Sequence, residues 1–137
     1  MRFRYTEIPN HQNPQEPFQR PYLIVRLVNG NKHKDVISLV DSGADVSLFH
    51  SDIGRMLGID VQHGHQLIFQ GVSGVRELAY LHRLDMAVRG LSPVSLEVGF
   101  ANSMAAGTGL LGQRGFFEHF QIEFQLRQKF FEIRLTA

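Results

Sequence analysis

The tetrapeptide Asp41-Ser42-Gly43-Ala44 is the part of this chain best equipped for chemistry. It follows the apolar, strand-like run Val36-Ile37-Ser38-Leu39-Val40 and precedes Asp45-Val46-Ser47-Leu48-Phe49. A carboxylate just past the end of a buried strand, with a hydroxyl and a glycine behind it, is the arrangement an acid/base aspartate needs. Asp, Ser and Gly are also turn formers, and the same three residues can mark nothing more than a strand ending in a turn. No second Asp-Ser-Gly or Asp-Thr-Gly occurs in the 137 residues. As an acid/base site the tetrapeptide is therefore half of one, and the other half has to come from a second copy of the chain.

The elements that would position it are read from periodicity and turn chemistry. Residues 22–28 and 35–40 are strand-like and flank the turn signal Asn29-Gly30-Asn31, which predicts a hairpin. Residues 51–57 can form a short helix with Ser51 as N-cap and Gly58 just past its end. Residues 67–70 and 75–88 form the arms of a long hairpin whose tip is the glycine-bracketed Gly71-Val72-Ser73-Gly74. Residues 94–100 supply another strand, and 120–126 and 130–135 form a further hairpin around Arg127-Gln128-Lys129. Many short strands with turn signals between them predict a mostly-β, closed or sandwich-like domain. Ahead of it, residues 9–21 hold four prolines among polar side chains, which predicts an extended or poorly ordered arm over 1–20, with the folded body, 21–137, beginning near Tyr22.

Strand, Asp-Ser-Gly-Ala, glycine-tipped hairpin, the apolar pair Leu110-Leu111 closed by Gly112, short helix and final strands, in that order, resemble the retropepsin-like aspartic proteases. The resemblance covers roughly residues 20–135 and lies in the order and spacing of the motifs. It implies a closed acid-protease barrel with a flap hairpin and one or two short helices, working as a homodimeric endopeptidase on peptide or protein substrates. Asp41 from each of two chains would be the catalytic dyad. Ser42 would exchange hydrogen bonds across the dimer axis, and Gly43 would let the two backbones approach and leave space for water. Ala44 and Asp45 would contact an extended substrate, Asp45 through backbone amides, while Gly71, Val72, Ser73 and Gly74 would be the tip of a flap over it. Leu110-Leu111-Gly112 would pack behind the catalytic loop. The position after that glycine, usually arginine in the family, is Gln113 here, with Arg114 one place later, which leaves an inherited salt bridge to Asp45 without support. From the residues alone, Asp45 is equally a turn-capping carboxylate and Gly71–Gly74 an ordinary exposed hairpin tip. A silent dimeric peptide-binding or assembly module of the same fold is the alternative function.

Composition narrows the remaining classes. Hydrophobic content of 43%, charged content of 20% and a net charge of +1 are those of an ordinary globular domain, with no basic run to engage nucleic acid. The absence of cysteine excludes disulfides and thiolate chemistry. The first residues carry charge and no apolar stretch, so neither a secretory signal nor a membrane span is expected, and a cytoplasmic location is the default. Gly107-Thr108-Gly109-Leu110-Leu111-Gly112 matches the dinucleotide-binding pattern G-x-G-x-x-G, with Glu132 twenty residues on. A βαβ unit needs a helix of several turns there, and Gly115 interrupts one at once. His63-Gly64-His65 offers two ligands on a loop with no third, too few for a metal site, and the other histidines are scattered. No cofactor or metal is expected.

Overall fold

A computed structural model describes residues 1–71 and 73–136. The strands are β1 (Arg2–Arg4), β2 (Thr6–Ile8), β3 (Phe18–Arg20), β4 (Tyr22–Asn29), β5 (Lys32–Val40), β6 (Leu48–His50), β7 (His65–Gln70), β8 (Arg76–Val88), β9 (Val94–Ala101), β10 (Thr108–Leu111), β11 (Phe120–Gln125) and β12 (Phe130–Leu135). One α-helix, α1 (Ser51–Met56), follows β6. The chain is thus mostly β, and no helix among the described residues is long and apolar enough to cross a membrane.

Period-two burial explains the strands. In β4, Leu23, Val25 and Leu27 are buried while Ile24 and Arg26 between them face out. The turn at Gly30, with φ 61°, takes the left-handed backbone that glycine tolerates and returns the chain as β5 in register, Ile24 opposite Ile37 and Arg26 opposite Asp35. The main sheet runs β4-β5-β10-β6-β9-β8-β7, and a further pairing of β4 with β8 joins its two sides. β7 stands outside that ring, paired to β8 alone. The principal core draws on this sheet, on α1 and on the three-stranded sheet β1-β12-β11, and in it Phe49, Phe100, Phe116, Phe120 and Phe131 are fully buried. Phe116 stacks on Phe120 with ring centroids 4.7 Å apart. Burying a ring of that size contributes about 1.5–3 kcal/mol.

Three local expectations are corrected. The cap of α1 is His50 and not Ser51: β6 runs straight into the helix, Ser51 is its first residue and is buried, and His50 Nδ1 accepts from the Asp52 N–H at 3.0 Å. The short helix expected after Gly112 is a run of turns. Gly115 sits at φ 95°, and the Arg114 N–H and carbonyl are engaged by Asp45 and Ser47. The ordered body also begins well before Tyr22. β1 pairs with β12, and Phe3 and Tyr5 pack their rings on Phe131 at 5.8 and 5.6 Å, because a chain this small gains core by recruiting aromatics from its first residues.

Candidate active site

Asp41 is the first residue past β5, in a loop fixed at both ends by backbone. β10 lies between β5 and β6, parallel to the first, with Leu110 opposite Leu39 and Leu111 opposite Val40. The pairing ends where the Asp41 N–H donates to the Leu111 carbonyl at 2.9 Å. Beyond Asp41 the chain turns back on itself. The Gly43 N–H donates to Asp41 Oδ1 at 2.9 Å and the Ala44 N–H to the Asp41 carbonyl at 3.2 Å. The side chain thus holds its own turn, the local pattern that favours aspartate there. A Cβ at position 43 would stand 3.2 Å from that same Oδ1, so glycine keeps the carboxylate's inner oxygen uncrowded.

On the way out of the loop a second backbone layer takes over. Gln113 N–H donates to the Ala44 carbonyl at 2.8 Å and Arg114 N–H to the Asp45 carbonyl at 2.9 Å, with Val46 bridged in parallel to Arg114. Gly112 is squeezed against this layer: a Cβ there would run into the Val46 carbonyl and lie 2.7 Å from the Ala44 carbonyl oxygen. At the centre is Ser47, fully buried. Its Oγ accepts from the Gly112 N–H at 3.0 Å and the Phe116 N–H at 3.3 Å and donates to the Arg114 carbonyl at 3.0 Å. Sequence reasoning passed over Ser47. The signal that could have found it is a serine at a core position between Val46 and Leu48, where a hydroxyl needs a specific partner.

Gln113 is the second residue with a part that its type alone did not disclose. Its side-chain amide donates to the Ser42 carbonyl at 2.7 Å, so a neutral group ties this strand end to the Asp41 loop. Arg114 turns the other way and pairs with Glu97 at 2.6 Å. No carboxylate–cation pair reaches Asp45 among the described residues, in keeping with the departure seen at position 113. Ser42, Gly43 and Asp45 are exposed, whereas Asp41 and Ala44 are half-buried.

The glycine-tipped hairpin is formed by β7 and β8, with Gln70 opposite Arg76. Gly74 N–H closes a turn onto the Gly71 carbonyl at 2.9 Å, Gly71 N–H donates to the Val75 carbonyl at 3.1 Å, and the Gln70 side chain donates to the Gly74 carbonyl at 3.0 Å. Gly71, Ser73 and Gly74 lie in this tip, and Val72 lies outside the described residues. No hydrogen bond joins the tip to residues 41–45 among the described residues. The first arm of the hairpin does reach the loop's exit: Leu67 and Phe69 of β7 pack on a small buried cluster of Val46, Leu48, Ala79 and Ala101, with Leu110 and Met104 beside them.

The two competing motifs fall elsewhere. Residues of the G-x-G-x-x-G match form β10, threaded between two strands and followed by turns, with no phosphate-cradling helix start. His63 is exposed and 2.8 Å from Asp60, His65 opens β7, and among the described residues no three histidines or carboxylates cluster as metal ligands would.

A family model described as aspartyl protease matches residues 25–114. Among solved structures the chain is similar to EIAV protease complexed with the inhibitor HBY-793, at 20% identity and TM-score 0.52, covering 69% of this chain and 82% of that one. It is also similar to a retropepsin-like aspartic protease from Rickettsia conorii, at 15% identity and TM-score 0.55, covering 97% and 94%. At such identities the likeness to these two is one of fold. No curated protein matches the sequence.

Proposed function

This chain belongs to the aspartyl protease family, and from that premise we propose that it is an endopeptidase working as a symmetric homodimer, one Asp41 from each protomer forming the catalytic pair. The observation that carries the reading is the Asp41 loop itself. It presents a single half-buried carboxylate, oriented by the Gly43 N–H and anchored through Leu111, in a chain that has no second such motif.

Hydrolysis of a peptide by this route needs one group to take a proton from water while another gives one to the carbonyl oxygen. Two carboxylates held close cannot both ionise, so they share a proton and serve as base and acid together. Ser42, exposed at the loop's apex, supplies a hydroxyl for hydrogen bonding across the two-fold axis. Ala44 and Asp45 hold the backbone of an extended substrate, and the hairpin tip with Gly71, Val72, Ser73 and Gly74 folds over it to exclude water. No cofactor enters this scheme.

The test is a peptide-library cleavage profile at mildly acid pH for the wild-type protein and Asp41→Asn. Cleavage is expected from the first and a loss of about 10²–10⁴-fold from the second, the ordinary contribution of a positioned acid/base group. A dimer that binds peptides and cleaves none would be the silent module instead. Activity largely retained in Asp41→Asn would mean that the carboxylate pair is not the catalyst.

A further inference from the structure

A large groove on the described surface does not involve Asp41. It has a volume of about 800 Å³ and lies on the outer side of β4, where β1, the start of β4 and the end of β8 meet. Three runs of consecutive residues line it, 2–4, 22–24 and 87–89. Side chains of neighbouring strand residues point to opposite faces, so consecutive lining means that strand edges border the groove. The pairings agree. β1 pairs with β12 alone, and β8 pairs with β4 only from Val25 to Val28, which leaves the β1 edge and residues 22–24 of β4 without a ladder partner on this side. Two unpaired edges facing one slot are open backbone donors and acceptors for a further extended segment.

The side chains around the slot say what that segment carries. Arg2, Arg4, Arg26 and Arg89 line it, against one carboxylate, Asp35. Arg26 is paired with Asp35 at 2.7 Å and Arg2 with Glu132 at 3.0 Å. Arg4 and Arg89 have no carboxylate within ion-pair distance among the described residues, and Arg89 lies 5.4 Å over the Phe3 ring. Between the arginines the wall is apolar, with Ile24 60% exposed. We propose that this groove is a second binding site, which takes an extended acidic peptide segment by strand addition, its carboxylates meeting Arg4 and Arg89 and an apolar residue covering Ile24. A polyphosphate backbone fits less well, since Asp35 stands in the slot and the net charge of the chain is only +1. A second copy of the chain is not complementary through β1, which would bring two more arginines. The site is independent of the protease reading.

The test is fluorescence anisotropy of a labelled short peptide alternating glutamate and valine, with an alternating lysine and valine peptide and a single-stranded oligonucleotide of equal charge as comparisons. Wild-type protein is expected to prefer the acidic peptide, more weakly as salt rises. Arg4→Glu, at an exposed position, is expected to lower that affinity by roughly tenfold or more, and Arg4→Glu/Arg89→Glu further, with the folded signal by circular dichroism unchanged. The proposal is overturned by equal binding of the lysine peptide, by an affinity indifferent to both variants, or by tighter binding of the oligonucleotide. A change of oligomeric state in Arg4→Glu with no change in peptide affinity would place a second copy in the slot, and would overturn it too.

Discussion

The side-chain amide of Gln113 donates to the Ser42 carbonyl at 2.7 Å, joining two residues 71 positions apart in sequence. The bond spans the Asp41 loop at its exposed apex, above the buried backbone layer in which Gln113 N–H reaches Ala44. A neutral amide serves here because the acceptor is a carbonyl oxygen and the site is exposed, so no charge has to be matched.

Replacement of Gln113 by alanine is therefore expected to loosen the apex without unfolding the chain. Global stability should fall by about 0.5–1.5 kcal/mol. On the proposed mechanism, peptidase activity should fall by a larger factor than that change in stability gives, because the geometry of Ser42 and Asp41 would set the reaction. Denaturant midpoints measured beside kcat/KM check both numbers.

Ser47→Ala is the buried counterpart. It strips the acceptor from the buried Gly112 and Phe116 N–H groups and the donor from the partly buried Arg114 carbonyl. Leaving such groups unsatisfied costs about 1–3 kcal/mol each at most, and part of that is recovered by relaxation. A urea titration should show the variant less stable than Gln113→Ala; equal stability to wild type would mean that Ser47 does not organise the loop.

Because each chain supplies one Asp41, activity per chain should decline on dilution through the dimer dissociation constant. An excess of Asp41→Asn chains should poison the wild type by forming mixed pairs. Constant specific activity in a sample shown by light scattering to be monomeric is the contrary outcome.

What could be read from the residues and what could not divides by distance along the chain. β4, β5, β8 and β9 announce themselves through alternation, as Leu23, Val25 and Leu27 show, and the turn at Gly30 through its own chemistry. The Asp41 turn is equally local, since its closing bond runs from Gly43 to the aspartate two residues earlier. The capping role of His50 was hidden because β6 leaves no loop before α1, so that the residue with the better capping chemistry, Ser51, is already inside the helix. Ser47 and Gln113 were hidden for a different reason. Their partners lie 65 and 71 positions away, and no short-range pattern encodes a bond across the sheet. β1 was hidden because its reason for existing, the Phe131 ring, is at the other end of the chain.

The pH profile of cleavage should be bell-shaped with its maximum on the acid side of neutral. In the proposed dimer, catalysis needs one carboxylate of the pair protonated and the other ionised, so the rate should fall on either side of the window in which both conditions hold. A rate rising steadily through neutral pH would point to a histidine base.

Stability should carry a separate, small acid dependence from Asp35. Its hydrogen bond to Arg26 holds the carboxyl below the usual aspartate range, with the charge of Arg26 acting in the same direction. A depressed carboxyl stabilises the fold above the unfolded value and ceases to do so as pH falls through the folded one. The wild type should thus exceed Asp35→Asn in stability at neutral pH, and the gap should close in strong acid. The pair is exposed, so the gap is modest and shrinks with salt.

The parallel insertion of β10 between β5 and β6 also sets a schedule. During synthesis β4, β5 and the flap-like hairpin emerge and can pair early, yet the Asp41 N–H finds its acceptor only when Leu111 has left the ribosome. Parallel, non-local pairing of this kind is slow to close, because loop entropy is spent before contacts return it. The aspartate therefore reaches its finished geometry only after most of the chain has been made, and a nascent chain carries the Asp41 turn in an unfinished loop until β10 arrives.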